Sequence, residues 1–241
     1  KLADAITAAE AVYAKEDETR DNYKDARDDL ELVKTALLFK NSTDAGNPKD
    51  FRELDKETVI KEMGAGINLG NTLDGGLNNA TETNWQAYKT TKAYIKALHD
   101  AGYNTVRVPV TWNGYINDDD NYSIDEAWIS RVQEIVDYCI DQDMYCIINI
   151  HHDGAANHDE RGNNPECWLN TAADNMDAVY EKFEGTWRTI ANRFKDYDEH
   201  LIFESMNEVT DAHDGTANED TKILNSLNQL FVNTVRATGS N

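Results

Sequence analysis

Four apolar runs along this chain end alike, each closing on polar residues capable of chemistry. Residues 65–72 close on Asn71, and residues 105–112 carry Arg107 and close on Trp112. Residues 145–153 close on His151, His152 and Asp153, and residues 201–208 close on the adjacent amide and acid Asn207 and Glu208. Between the runs the apolar spacing becomes helical. Tyr94, Ile95 and Leu98 precede Asp100-Ala101-Gly102, and Ile129, Val132, Ile135, Val136 and Ile140 precede the third run. After the fourth run, residues 220–237 place Ile223, Leu224, Leu227, Leu230, Phe231 and Val235 on one face. Near-continuous apolar strands alternating with helices predict an α/β fold with a parallel sheet covered by helices. In a closed (β/α)8 barrel of the TIM type, functional residues collect at the C-terminal ends of the strands, where all four polar clusters lie. A strand that runs out into Asn207-Glu208 puts the acid at the mouth of the sheet, where buried surroundings raise a carboxyl pKa until it can donate a proton.

With these clusters in this order, the chain resembles glycoside hydrolase family 5, within the cellulase-type clan that places its acid after barrel strand four. The likeness runs over roughly residues 51–241. The paired histidines, together with Asn68-Leu69-Gly70-Asn71-Thr72, are similar to the endoglucanase and xyloglucanase branch. The resemblance implies that Arg107, His151, Asn207 and Glu208 frame the sugar at the cleavage point, with Glu208 as general acid and base. It implies that Asn71, Asp74 and His152 bind sugar hydroxyls. Val209 stands where many relatives have proline, which touches the loop more than the chemistry.

The residue chemistry agrees with these roles. A retaining glycosidase needs two carboxyl groups about 5 to 5.5 Å apart, one to protonate the leaving oxygen and one to attack the anomeric carbon. Glu208 suits the first role, and Asn207 is suited to holding a sugar 2-hydroxyl. Arg107, forked and permanently charged, is suited to orienting an ionised carboxylate, which points to a nucleophile nearby. His151 either adds a hydrogen bond to that network or is a satisfied structural histidine.

A full barrel takes about 250 residues and eight strands, whereas about 190 residues follow the first fifty here. About four N-terminal β/α units are therefore expected, and no second strand-ending glutamate follows Glu208. The resemblance implies a nucleophile after strand seven, along with a histidine, a tyrosine and a tryptophan of the second half, for which this chain offers no counterpart. Three arrangements fit: the N-terminal half of a longer enzyme, a self-associating half-barrel, or a split enzyme completed by a C-terminal half. A catalytically silent carbohydrate-binding or assembly half-barrel is the alternative from another class, and a mannanase or xylanase is the alternative substrate reading. The first fifty residues differ in texture. Leu2, Ile6, Ala9 and Tyr13, then Tyr23, Leu30, Val33 and Leu37, recur at helical spacing without glycine or proline until Gly46 and Pro48. Residues 1–48 are thus expected to form a helical extension or spacer, and residues 49–241 the half-barrel. Val59, Ile60 and Met63 belong to a helix closing the barrel bottom.

Composition narrows the partners. A net charge of −22 argues against nucleic acid and anionic membrane, both of which are bound through basic residues, and is compatible with a neutral β-glucan. With 40% apolar residues and no apolar run near twenty, the chain is not expected to span a membrane. Its charged beginning lacks a signal-peptide core, so the expectation is a secreted enzyme whose leader has been removed. Cys139, Cys146 and Cys167 are odd in number and without close metal-ligand spacing, which points to core packing. No cofactor or metal is expected, because adjacent residues such as His151 and His152 point to opposite faces of a strand. Asp118-Asp119-Asp120-Asn121 lacks the glycine and glutamate of a calcium loop and reads as solvated. Trp112 and Trp168, beyond the second and third strands, are placed to stack on sugar rings, while Trp85 and Trp128 read as packing residues. Polar loops over 153–170 and 209–218 line an open cleft suited to internal cleavage.

Overall fold

The computed structural model describes residues 51–154, 167–171, 173–209 and 221–239, with Thr7 and Ala11 in helical conformation. The expected extension over 1–48 otherwise lies outside the described residues, as does most of the two cleft loops. The elements run α1 (Lys56–Met63), β1 (Gly66–Asn68), α2 (Lys92–Asp100), β2 (Thr105–Val108), β3 (Ile116–Asn117), β4 (Ser123–Ile124), α3 (Glu126–Ile140), β5 (Tyr145–Asn149), α4 (Met176–Arg193), β6 (Leu201–Glu204) and α5 (Thr221–Ala237). Strands β1, β2, β5 and β6 form a parallel sheet in that order, so each β/α unit lies beside the one before it. This is the arrangement of a partial α/β barrel. The two-residue strands β3 and β4 form a separate antiparallel hairpin.

Helices α1 to α4 begin where the sequence supplies a cap. Asp55, Thr91, Asp125 and Asn175 accept the backbone N–H of Thr58, Tyr94, Trp128 and Ala178, meeting donors that the first helical turn leaves unpaired. The pairing register aligns Val106, Cys146 and Leu201 in one row and Arg107, Ile147 and Ile202 in the next. The first row is buried beneath the helices, with Ile95, Val132, Val136, Phe183, Trp187, Ile190 and Leu227 in the same core. The second row, on the opposite face, is only half-buried. Polar Arg107, Asn149 and Glu204 can therefore share the inner face while the apolar residues between them fill the outer one. Gly185, in the middle of α4, admits the hairpin: a Cβ there would meet the Tyr122 ring at 2.1 Å.

Helix α1 lies at the bottom, as expected, but polar contacts hold it. It buries no residue, and Ile60 is exposed. Arg52 binds both Glu62 and Glu199, Tyr145 donates to Glu62 at 2.7 Å, and Thr105 donates to the Met63 carbonyl at 2.6 Å. All three cysteines are unbridged and buried. No described helix is long and apolar enough to cross a membrane.

Candidate active site

The site is assembled from the segments just beyond the strand ends. The strands are shorter than the apolar runs: β2 stops at Val108, β5 at Asn149 and β6 at Glu204, so the polar tails lie beyond the sheet at its C-terminal edge. Arg107, still within β2, reaches across to the β6 end. Its Nε donates to Glu204 Oε2 at 2.6 Å, and its Nη2 donates to Glu204 Oε1 at 2.5 Å and to Asn207 Oδ1 at 2.9 Å. Where a nucleophile is expected beside Arg107, the carboxylate it holds is Glu204 at the end of β6. Burial pushes the Glu204 pKa up, but hydrogen bonds from Arg107 and Asn149 outweigh it and hold the carboxyl below the usual range.

Glu208 follows in a left-handed conformation, φ 46°, which is uncommon for a residue with a Cβ. Contrary to the buried environment expected, its side chain is exposed. Its charge is felt by both Arg107 and His152. Asn71, also exposed, turns the chain after β1 at φ 53°. Val209 is buried against Gly154, where a Cβ would stand 2.6 Å from Val209 Cγ2, so the loops after β5 and β6 touch through a missing side chain.

On the other side, Asp74 is buried, accepts the Thr72 N–H at 2.9 Å and faces both histidines. Its Oδ2 lies 3.7 Å from His151 Nε2 and 3.9 Å from His152 Nε2. The expectation that these neighbours diverge is overturned. The strand has ended at Asn149 and the chain enters a 3₁₀ turn over 152–154, so strand alternation no longer applies and the two rings meet edge to face at 4.6 Å. Burial, then the neighbouring His152 and Arg107, lower the His151 pKa to about 4 despite Asp74 and Glu204. Burial likewise lowers that of His152. Asp74, His151 and His152 each bring one ligand atom within 4.8 Å of the others, a set of the size a divalent metal takes.

The tryptophans need correction. Trp112, expected to stack on sugar, is fully buried and donates its indole N–H to the Asn149 carbonyl at 2.9 Å, so neither ring face is available. Trp168 is half-buried; its indole donates to Asp153 at 2.8 Å, and Lys182 Nζ stands 5.3 Å from its ring centre. Trp128 packs as expected, stacked on Tyr115. Trp85, read as a packing residue, is 72% exposed, and Tyr88 in the same loop is 70% exposed. Gln86 between them donates to Thr72 Oγ1 at 3.1 Å, which anchors this aromatic loop to the turn carrying Asp74. The acidic turn 118–121 docks on α4: Lys182 pairs with Asp118, and Arg188 donates to Asn121.

Sequence reasoning passed over Glu204, Asn149 and the role of Asp153. Asp153 is fully buried and accepts from the Trp112 backbone N–H at 3.0 Å and from the Trp168 indole, joining the ends of β2 and β5 to Trp168. Burial raises its pKa to about 6 despite those hydrogen bonds. A carboxyl raised in the folded state contributes full stability below its unfolded pKa and loses it as pH rises through the folded value. Stability from this group is therefore expected to fall between about pH 4 and pH 6. The Trp168 indole N–H resonance should shift with a midpoint near 6; a flat response from pH 4 to 8 would contradict this.

The family model for Cellulase (glycosyl hydrolase family 5) matches residues 60–241. Endoglucanase A of Ruminococcus albus is 40% identical over 205 residues, covering 82% of this chain and 53% of that protein. Endoglucanase B of Clostridium cellulovorans is 42% identical over 196 residues, covering 79% and 41%. Among solved structures, a GH5-4 broad specificity endoglucanase from Ruminococcus champanellensis with bound cellotriose superposes with a TM-score of 0.70 at 43% identity, over 80% of this chain and 56% of that one. A family 5 xyloglucanase from Paenibacillus pabuli gives 0.68 at 40% identity, over 76% and 50%. The chain spans about half the length of these relatives.

Proposed function

The chain belongs to glycosyl hydrolase family 5, and from that premise we propose that it carries the acid/base side of an endo-acting β-1,4-glucan hydrolase site. Glu208 gives a proton to the departing glycosidic oxygen and later takes one from water. Asn207, its Oδ1 held by Arg107, meets a sugar hydroxyl through Nδ2. His151, His152, Asp74 and Asn71 bind further hydroxyls, and Trp168 lines the cleft. The observation that carries this reading is the Arg107 fork, which fixes Glu204 and Asn207 beside Glu208. Cellotriose in a related endoglucanase and the xyloglucanase relative support an unbranched or substituted glucan as the substrate. Acting on a polymer, the enzyme works outside the cell.

A nucleophilic carboxylate must turn a bare lone pair toward the anomeric carbon. Both Glu204 oxygens already receive N–H groups, and Asp153 is buried beneath two tryptophan donors. The family resemblance places the nucleophile after barrel strand seven, and the main sheet described here has four strands, so we assign the attacking carboxylate to residues outside this half-barrel, seated against its inner face. In an assembly so completed, Glu208→Gln should lower the hydrolysis of xyloglucan about 10²- to 10⁴-fold, the usual share of general acid–base catalysis, and leave cellotriose affinity unchanged. Unchanged turnover would remove Glu208 from the chemistry. Absence of turnover in both proteins, with cellotriose affinity kept, would favour the silent binding module.

The loop of Trp85 and Tyr88 extends the same surface. Stacking on one aromatic face adds roughly 0.5–1.5 kcal/mol. Trp85→Ala should therefore weaken a long glucan about three- to tenfold in affinity electrophoresis and leave cellotriose nearly unaffected. Equal retardation of both proteins would return Trp85 to an ordinary surface role.

A further inference from the structure

Asn149 is a fully buried amide at the end of an apolar strand, and every polar atom of its side chain is committed. Its Oδ1 accepts the Val110 N–H at 3.2 Å, which fixes which end of the amide is oxygen. The two hydrogens on Nδ2 then have two acceptors, Glu204 Oε1 at 3.1 Å and His151 Nδ1 at 3.0 Å. Flipping the amide would set Nδ2 against the Val110 donor and Oδ1 against the Glu204 carboxylate, two repulsions in a dry site. Glu204 is in turn immobilised by Arg107.

From this geometry we infer that Asn149 is a positioning residue that locks His151 in one tautomer, with Nδ1 bare and the proton on Nε2. The ring nitrogen facing Asp74 is then always a donor. At 3.7 Å from Asp74 Oδ2 the Nε2–H is not held in a short hydrogen bond, so it can be offered to a ligand oxygen. Burial, which lowers the His151 pKa to about 4, keeps the ring neutral at pH 7. The lock also explains the metal question. Asp74, His151 and His152 have the spacing of a three-ligand site, but a protonated Nε2 has no lone pair for a cation. The same three side chains are thereby reserved for hydroxyl groups. Asn149 acts here as outer partners of metal-bound histidines do, with the opposite result.

The test is long-range ¹H–¹⁵N NMR of the histidine rings in the 241-residue protein, together with Co²⁺ titration followed by visible absorption. Neither readout needs turnover, so the result stands apart from the glucanase reading. In the wild type the His151 Nδ1 signal should be that of a bare nitrogen and Nε2 that of a protonated one, and Co²⁺ should give no ligand-field band that depends on His151, as distinct from one held by Asp198, Glu199 and His200 and removed by His200→Ala. In Asn149→Asp the new carboxylate can only accept, so it favours the tautomer in which Nδ1–H donates a hydrogen bond to it. The proton should then move from Nε2 to Nδ1 in folded protein, and a Co²⁺ band should appear. Asn149→Ala should give a mixture of tautomers if the aspartate variant does not fold. A bare Nε2 or a His151-dependent Co²⁺ band in the wild type, or an unchanged Nε2–H in either folded variant, would overturn the inference.

Discussion

Arg107→Ala is expected to lower the free energy of unfolding by about 2–3 kcal/mol and to abolish measurable cellotriose binding. Breaking a buried ion pair by removing one partner typically costs about 3–5 kcal/mol. The lower figure applies because Arg107 and Glu204 keep 22% and 32% of their side-chain surface exposed. The loss comes chiefly from the carboxylate left behind, which burial alone would push up in pKa. In the wild type Glu204 is depressed, so its stabilisation is present above the unfolded pKa near 4.5 and is lost as pH falls through the folded value. In the variant burial acts without Arg107, and the carboxyl becomes easier to protonate. The gap between the two proteins in urea unfolding should therefore be widest near pH 7 and narrow below about pH 4.5. Arg107→Ala combined with Glu204→Gln should recover part of the loss, since no charge is then stranded. A gap independent of pH, or no recovery, would show that the pair does not hold the β6 end.

Trp187→Ala is expected to be the most damaging core substitution, at about 3–5 kcal/mol. Trp187 is fully buried on α4, edge-on to Phe231 of α5 at 4.6 Å and near Phe203 of β6 at 5.7 Å. Its indole N–H donates to the Ser205 carbonyl at 3.0 Å, in the first turn of chain after β6. The substitution leaves a cavity, and it also leaves the Ser205 carbonyl without its donor two residues before Asn207. Trp187→Phe should restore much of the stability but not that hydrogen bond. If the link matters to the site, Trp187→Phe will bind cellotriose more weakly than wild type at a temperature where both are fully folded. Equal affinity would confine Trp187 to packing.

The architecture was legible because its signals are periodic. The apolar runs ending near Asn149 and Glu204, the helical spacing through Val132, Ile135 and Val136, and that through Ile223, Leu227 and Leu230 all reappear in the described elements. The convergence of Arg107, Asn207 and His151 was legible because strand ends meet in a parallel sheet, and the structure joins Arg107 to Asn207 directly and to His151 through Glu204 and Asn149. What escaped depends on pairing between strands. Glu204 reads as one polar residue within a strand until register sets it beside Asn149. Asn149 looks like a polar interruption in an apolar run, and nothing local reveals three partners on three segments. Trp112 is covered and Trp85 exposed, the reverse of the expectation, because distance from a strand end does not report which face is covered. The pairing of His151 with His152 was misjudged because alternation was carried one step past the end of β5.

The most direct test of the central claim, an acid/base half-site without its attacking carboxylate, is hydrolysis of carboxymethyl cellulose and xyloglucan by the purified 241-residue protein, with its solution mass determined on the same sample. The account expects a folded protein that binds cellotriose and releases no reducing ends. Hydrolysis with retention of anomeric configuration by the monomer would mean that a second carboxylate within this chain completes the pair, and the assignment of the nucleophile to residues outside the half-barrel would be wrong.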